Sequence, residues 1–258
     1  MQKLKLFLLI LLPTVLLVSC SNGNAGDGTK SASADGATAG ASTGSDMYYE
    51  YTSRSNGATH QSTSTMKLYV SDGGGVRMEI FVADPTGKRP ATTPMMVLIA
   101  DKSKPNQSIT IDDDAKAYTI NNIDSVGDNP EKAQSTATKI GEEKLLDYNC
   151  VHARVISQKS LGSFANFTDT IDLWKSADVP LQPFFRQYMN RMEAKTGSFM
   201  YSPAIAEQLK QMGCVGFQMK MEMRSKDVSM TTEVTKVQKG DFPKSMFEIP
   251  AGYKEIKD

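Results

Sequence analysis

The sequence predicts a mainly β fold of the α+β kind, an antiparallel sheet with two helices inserted late. Three observations carry this reading. Short runs of alternating or β-branched residues recur between turn signals from Tyr48 to Ile249, as strands with one covered face do. The period changes once, after Pro183, where apolar residues recur at helical spacing. No internal repeat is evident, and the length of 258 residues suits one large domain or two small ones, ample for a real core because about three quarters of the unfolded surface can be buried at this size.

The expected strands, in order, begin with Tyr48–Arg54, Thr65–Ser71, Val76–Ala83, Met96–Asp101, Gln107–Asp112 and Lys116–Asn121. Tyr148–Ser157, Thr168–Lys175, Val215–Arg224, Val228–Val237 and Phe247–Ile249 follow. Asp72-Gly73-Gly74-Gly75 forms a hairpin turn, since glycine takes positive φ at little cost. Asp112-Asp113-Asp114-Ala115-Lys116 forms a second turn between strands. Ser125–Thr138 is polar, contains Pro130 and reads as a loop. After Pro183, Phe185, Met189 and Met192 share one helical face, with Phe184 and Tyr188 beside it and Gly197 as a stop. This gives a helix over 183–196. Ser202-Pro203 then supplies an N-cap and a proline at the first helical position. Ile205, Leu209 and Met212 form the stripe of a second helix over 203–212, which Gly213 ends.

The N-terminus reads as an address. Lys3 and Lys5 form a positive start, and the thirteen residues Leu6–Val18 are nearly all aliphatic. That run is too short to span a bilayer as a helix and matches a secretory core. It ends Leu17-Val18-Ser19-Cys20, which resembles the lipobox of bacterial lipoproteins. The resemblance implies diacylglyceryl transfer to the Cys20 thiol, cleavage before it and acylation of the new amine, so 1–19 is a signal peptide. Two or more acyl chains hold a protein at a membrane stably, at about 0.8 kcal/mol per buried CH₂. Ser21 stands where an aspartate would mark inner-membrane retention. By the same resemblance the outer membrane is the expected destination, facing the periplasm. Ser21–Asp46 holds six Gly, six Ala, five Ser and three Thr and no large apolar residue. Such a stretch cannot offset its ordering entropy. We expect 20–46 to be a lipidated tether with a reach of about 25–30 Å, and 47–258 to be one β-rich domain.

Charge and composition exclude several functions. Lys and Arg number 29 against 29 Asp and Glu, and loss of Lys3 and Lys5 leaves 27 against 29. No basic field is available for nucleic acid. Two His and three Cys leave little for zinc or haem. The sequence has no P-loop, dinucleotide, zinc-protease or nucleophile-elbow motif, and no cofactor or metal is expected. Asp112-Asp113-Asp114 lacks the glycine and the distal glutamate of a calcium loop.

Methionine supplies the pointer to a site. Nine of the 15 Met lie between Met189 and Met246. Met219, Met221 and Met223 alternate with Gln218, Lys220, Glu222 and Arg224, so one strand face is thioether and the other polar. Phe217 shares the thioether face. This face reads as ordinary core, as the wall of a deformable apolar cavity, or as a soft Cu(I) site, for which no His or Cys completes the set. Core and cavity wall are compatible readings. The candidate ligand-binding residues are therefore Phe217, Met219, Met221 and Met223 as wall, and Phe184, Phe185, Met189 and Met192 as lid.

Cys150 and Cys214 are the cysteines left to the domain, and an even pair in an exported chain favours a disulfide over two buried thiols. The 63 intervening residues would make it worth about 4 kcal/mol. His60 lies in a turn-like stretch. His152 shares a strand face with Cys150, but nothing marks an oxyanion hole, so no catalytic residue is assigned.

Lys139-Ile140-Gly141-Glu142-Glu143-Lys144-Leu145-Leu146-Asp147-Tyr148-Asn149-Cys150 and Phe242-Pro243-Lys244-Ser245-Met246-Phe247-Glu248-Ile249-Pro250-Ala251-Gly252-Tyr253 together resemble an uncharacterised family of bacterial envelope lipoproteins. That family is similar to the LolA/LolB-like lipoprotein-carrier superfamily. Asp147 stands where the pattern usually has glycine, and Ala153 where an aromatic is common. The resemblance implies a curved antiparallel half-barrel with two helices across its concave face, LolA-like, and a cavity that takes lipid or acyl chains. The function expected is a lipid-anchored, non-enzymatic protein that binds or carries a lipophilic ligand. The alternative is a solid-cored module for an envelope protein partner or for stress sensing.

Overall fold

The computed structural model describes residues 45–57, 61–83, 90–122, 134–160, 166–200 and 203–257. The expected signal peptide, Cys20, most of the tether and His60 lie outside them. The chain builds one open, twelve-stranded sheet: β1 (Asp46–Gly57), β2 (Gln61–Val70), β3 (Gly75–Val82), β4 (Met96–Asp101), β5 (Gln107–Asp112), β6 (Ala117–Asn122), β7 (Gln134–Leu145), β8 (Tyr148–Ser160), β9 (Asn166–Ser176), β10 (Phe217–Arg224), β11 (Val228–Gly240) and β12 (Lys254–Glu255). Helices α1 (Pro183–Met200) and α2 (Pro203–Gln211) lie between β9 and β10. The strand order is β12-β6-β5-β4-β3-β2-β1-β11-β10-β9-β8-β7. All neighbours are antiparallel except β12, which runs parallel to β6.

Alternation places the core. On β1, Met47, Tyr49 and Tyr51 point one way, and on β2 Leu68 and Val70 meet them across the ladder. Val76, Met78 and Ile80 of β3 extend the same face. α1 lays Phe185 and Tyr188 on this layer. Farther along, Ala153 and Val155 of β8, Ile171 and Leu173 of β9 and Met221 of β10 meet Ile205 and Leu209 of α2. Direct partners Ser53↔Thr232, Thr232↔Met221 and Met221↔Leu173 join the two regions. Both helices therefore cover one face of a curved sheet, here the inner face.

β4 reads Met-Val-Leu-Ile-Ala because it is covered on both sides. Leu98 and Ala100 join the core under α1, while Val97 and Ile99 pack outward with Ile111, Ile249 and Tyr253. The C-terminal segment is the outer cover. Asp46 fixes its start, accepting the Phe242 and Asp72 backbone N–H groups at 2.9 and 2.8 Å. Tyr253 donates to Asp113 at 2.8 Å at its end. Asp46, counted with the tether above, is thus the first residue of β1.

Four sequence expectations are corrected. The loop assigned to Ser125–Thr138 overlaps β7, whose first residues are polar because this edge strand pairs only with β8. Phe247–Ile249 is not a strand. Lys244–Phe247 form a 3₁₀ turn, and Phe247 lies so close over Gly75 that a Cβ there would come 2.6 Å from its ring. α1 runs through Gly197 to Met200, since a glycine costs a helix only about 1 kcal/mol. The Cys150–Cys214 disulfide is absent, and both thiols are free and buried. Cys150 belongs to the cluster under α1 and Cys214 to the one under α2. Each thiol points at a backbone carbonyl, of Tyr148 and Val151 respectively.

The turn signals behave as expected. Gly74 has φ +96° in the β2–β3 turn, closed by Ser71 N–H to Gly75 O at 2.8 Å. Gly213, at φ +76°, ends α2. There the Cys214 N–H reaches back to Leu209 O at 2.8 Å, the six-to-one bond of a Schellman cap.

Candidate functional site

The inner face is the site the sequence singled out, and it is built in two parts. Under α1, Tyr49 is the centre. Its ring lies 4.7 Å from Phe217 and 6.1 Å from Phe185, stacked on the latter. Its hydroxyl donates to Pro180 O, just ahead of α1. Met219 is buried in the same cluster, with Phe184 and Met189 packed against it. Under α2, Met221 is sealed by Ile205 and Leu209, and Met223 packs against that cluster. An irregularity between Gln218 and Lys220 in the pairing with β9 separates the two parts. The wall residues are thus shared between two helices, and α2 covers Met221 and Met223. The Met192 side chain lies outside the described residues.

This face is apolar, but hydroxyls interrupt it. Tyr51 and Ser64 are 8% and 4% exposed. Neither side-chain oxygen has a hydrogen-bond partner among the described residues, and neither does that of Tyr188, 3% exposed. Among those residues no side-chain oxygen sealed from solvent lacks a partner. These three oxygens therefore border reachable space rather than closed packing. Burial pushes the Tyr188 phenol up to about 12 and the Tyr51 phenol well above its ordinary value, so both are neutral donors at physiological pH.

The outer face of β8–β10 carries a charge network that sequence reasoning missed. Asp172, 1% exposed, accepts Arg154 Nε at 2.8 Å and Nη2 at 3.1 Å, His152 Nε2 at 3.1 Å, and Arg224. His152 stacks on Trp174 at 4.0 Å, and Lys220 Nζ lies 4.5 Å from the Trp174 ring centre. Trp174 donates its indole N–H to Glu143. The signal was legible in part, because Asp172 and Trp174 alternate with the buried Ile171 and Leu173. Its partners came from β7, β8 and β10, which no local pattern joins.

Neither His152 nor Cys150 is arranged for nucleophilic chemistry. His152 is engaged by Asp172 and Trp174, and burial pushes the Cys150 thiol up, away from the thiolate a nucleophile needs. Among the described residues no cluster of His, Cys, Asp or Glu could hold a metal ion, and no helix is long and apolar enough to cross a membrane. The Asp112–Asp114 turn is held by its own bond, Asp112 Oδ1 accepting the Ala115 N–H at 2.9 Å.

Fold and site together define a class: an open β-sheet protein whose apolar inner face is roofed by two helices. The chain belongs to the family described as Domain of unknown function (DUF4412), whose family model matches residues 56–253. No curated protein matches it. Among solved structures it is similar to a LolA superfamily protein from Nitrosomonas europaea, at 6% identity over 81% of this chain and 92% of that chain, TM-score 0.30. A DUF1329 family protein from Desulfovibrio piger matches at 12% identity, 80% and 90% coverage and TM-score 0.32. LprF from Mycobacterium bovis matches at 8% identity, 80% and 89% coverage and TM-score 0.31.

Proposed function

We propose that this protein is a lipid-anchored envelope protein, acylated at Cys20 and facing the periplasm from the outer membrane. It binds or carries a lipophilic ligand between the inner sheet face and α1 and α2, without catalysing a reaction. The sheet acts as an unclosed half-barrel, with Phe217, Met219, Met221 and Met223 as wall and Phe184, Phe185, Met189 and Met192 in the lid. One observation carries the reading: core hydroxyls on Tyr51, Tyr188 and Ser64 border reachable space inside an otherwise apolar layer. A solid core would close over them or pair them, because an unpaired buried hydroxyl costs about 1–3 kcal/mol. The resemblance of Lys139–Cys150 and Phe242–Tyr253 to the carrier-like lipoprotein family supports the same reading. Burial of an acyl chain there would contribute about 25 cal/mol per Å² before ordering costs, and thioethers adapt to chains of varied shape.

Saturable uptake of an uncharged apolar dye by detergent-free protein, displaced by acyl chains, is the expected result. Absence of uptake, together with loss of function only on outer-face substitution, would support the solid-cored interaction module instead.

A further inference from the structure

The hydroxyls on the inner face form one patch. Cross-strand partners Ser64, Ser53 and Thr232 sit side by side on β2, β1 and β11, all buried. Ser53 and Thr232 bond each other at 3.0 Å, which leaves Ser64 as an open donor and acceptor. Tyr51 stands one row deeper, beside Met66 and Val234. One row farther out, the partners Ser55 and Ser62 are only half-buried. Past the half-buried Ser55, the inner-face residues Ser53, Tyr51, Tyr49 and Met47 are all buried, and from Tyr49 onward the face is apolar. On β1, β2, β3, β10 and β11 no charged side chain shares these rows.

Hydrocarbon surroundings make open hydroxyls costly, so an occupant that satisfies them is favoured over one that does not. A carboxylate or phosphate would find no cation among the described residues of these strand rows, and an isolated charge in such a place is expensive. A plain hydrocarbon would leave Ser64 and Tyr51 unpaired. Resting on the ligand-binding reading above, we infer that the ligand is an amphiphile with a neutral acyl ester or amide. Its carbonyl seats on Ser64 and Tyr51, and its acyl tail points inward past Tyr49. The patch then sets both the chemical class and the direction of entry.

Displacement of Nile red from the delipidated full chain tests this with three probes of equal chain length: monoolein, oleate and 1-octadecene. Monoolein should displace the dye about tenfold more effectively than either other probe, the worth of one to two hydrogen bonds. Ser64→Ala combined with Tyr51→Phe should erase that preference and leave 1-octadecene unchanged. Ser64→Ala alone, which removes a single oxygen, should reduce it about threefold and serves if the double variant does not fold. Equal displacement by all three probes, or a preference that survives the substitutions, would overturn the ester seat while leaving the ligand-binding reading intact. Failure of the protein to bind Nile red at all would overturn both.

Discussion

At the scale of single residues, the outer-face network depends on Asp172. Burial pushes its carboxyl up, but the hydrogen bonds and charges of Arg154 and His152 outweigh this and hold it below the usual carboxylate range. A carboxyl lowered in the folded state contributes stability that is full above its unfolded pKa. That stability is lost as pH falls through the folded value. Asp172→Asn should cost about 2 kcal/mol near neutral pH, the worth of hydrogen bonds to a charged group. It should also flatten the decline in melting temperature on acidification, as thermal unfolding from pH 7 to pH 3 would show. An unchanged acid limb would contradict the role given to Asp172. Leu146 offers the opposite case. It sits at φ +51° in the β7–β8 turn, a conformation that costs a side-chain-bearing residue about 1–2 kcal/mol. Leu146→Gly should raise stability by about 0.5 kcal/mol after the added unfolded-state entropy, read from a urea midpoint. The cysteines make a third test. Unreduced protein should show two reactive thiols in denaturant, from Cys150 and Cys214, and almost none when native. Absence of both in denaturant would restore the disulfide.

At the scale of elements, periodicity revealed what faced an apolar layer and missed what did not. The strands Met96–Asp101 and Gln107–Asp112 have the bounds their sequence predicts, and in β4 Val, Leu and Ile lie on both covered faces. The start of β7 reads as a loop in the sequence because Gln134, Ser135 and Thr136 are all polar and show no apolar alternation. Its place in the sheet comes from backbone pairing with β8 and from α2, where Gln208 Oε1 accepts the Ala137 N–H at 3.1 Å. Such a cover suits an edge, since unpaired strand groups invite pairing with other chains. Gln208→Ala should therefore speed hydrogen exchange at the Ala137 amide while leaving β8 and β9 protected. Leu209→Ala, at a buried position, should cost about 3 kcal/mol by leaving a cavity under α2. Unchanged exchange at Ala137 would show that α2 does not guard this edge.

At the scale of the whole molecule, the candidate site was legible as a chemistry before it was legible as a place. The alternation of Met219, Met221 and Met223 identified a thioether face, and the structure buries Met219 and Met221 and packs Met223 against the core. The sequence could not show that one helix covers Phe217 and Met219 while another covers Met221. That division follows from the irregular pairing between β10 and β9. Nor could it show the hydroxyl patch, because Ser53, Ser64 and Thr232 are far apart in the chain and become neighbours only through strand register. Isolated serines in strands carry no signal of their own. The proposed function requires that a lipophilic molecule fit between the inner face and the helices. Organic extraction and mass spectrometry of protein purified without detergent test it most directly. A bound amphiphile in near-stoichiometric amount is expected, lost when Met219 and Met221 are replaced by bulkier side chains. A protein that carries no extractable ligand and takes up no apolar dye would contradict it.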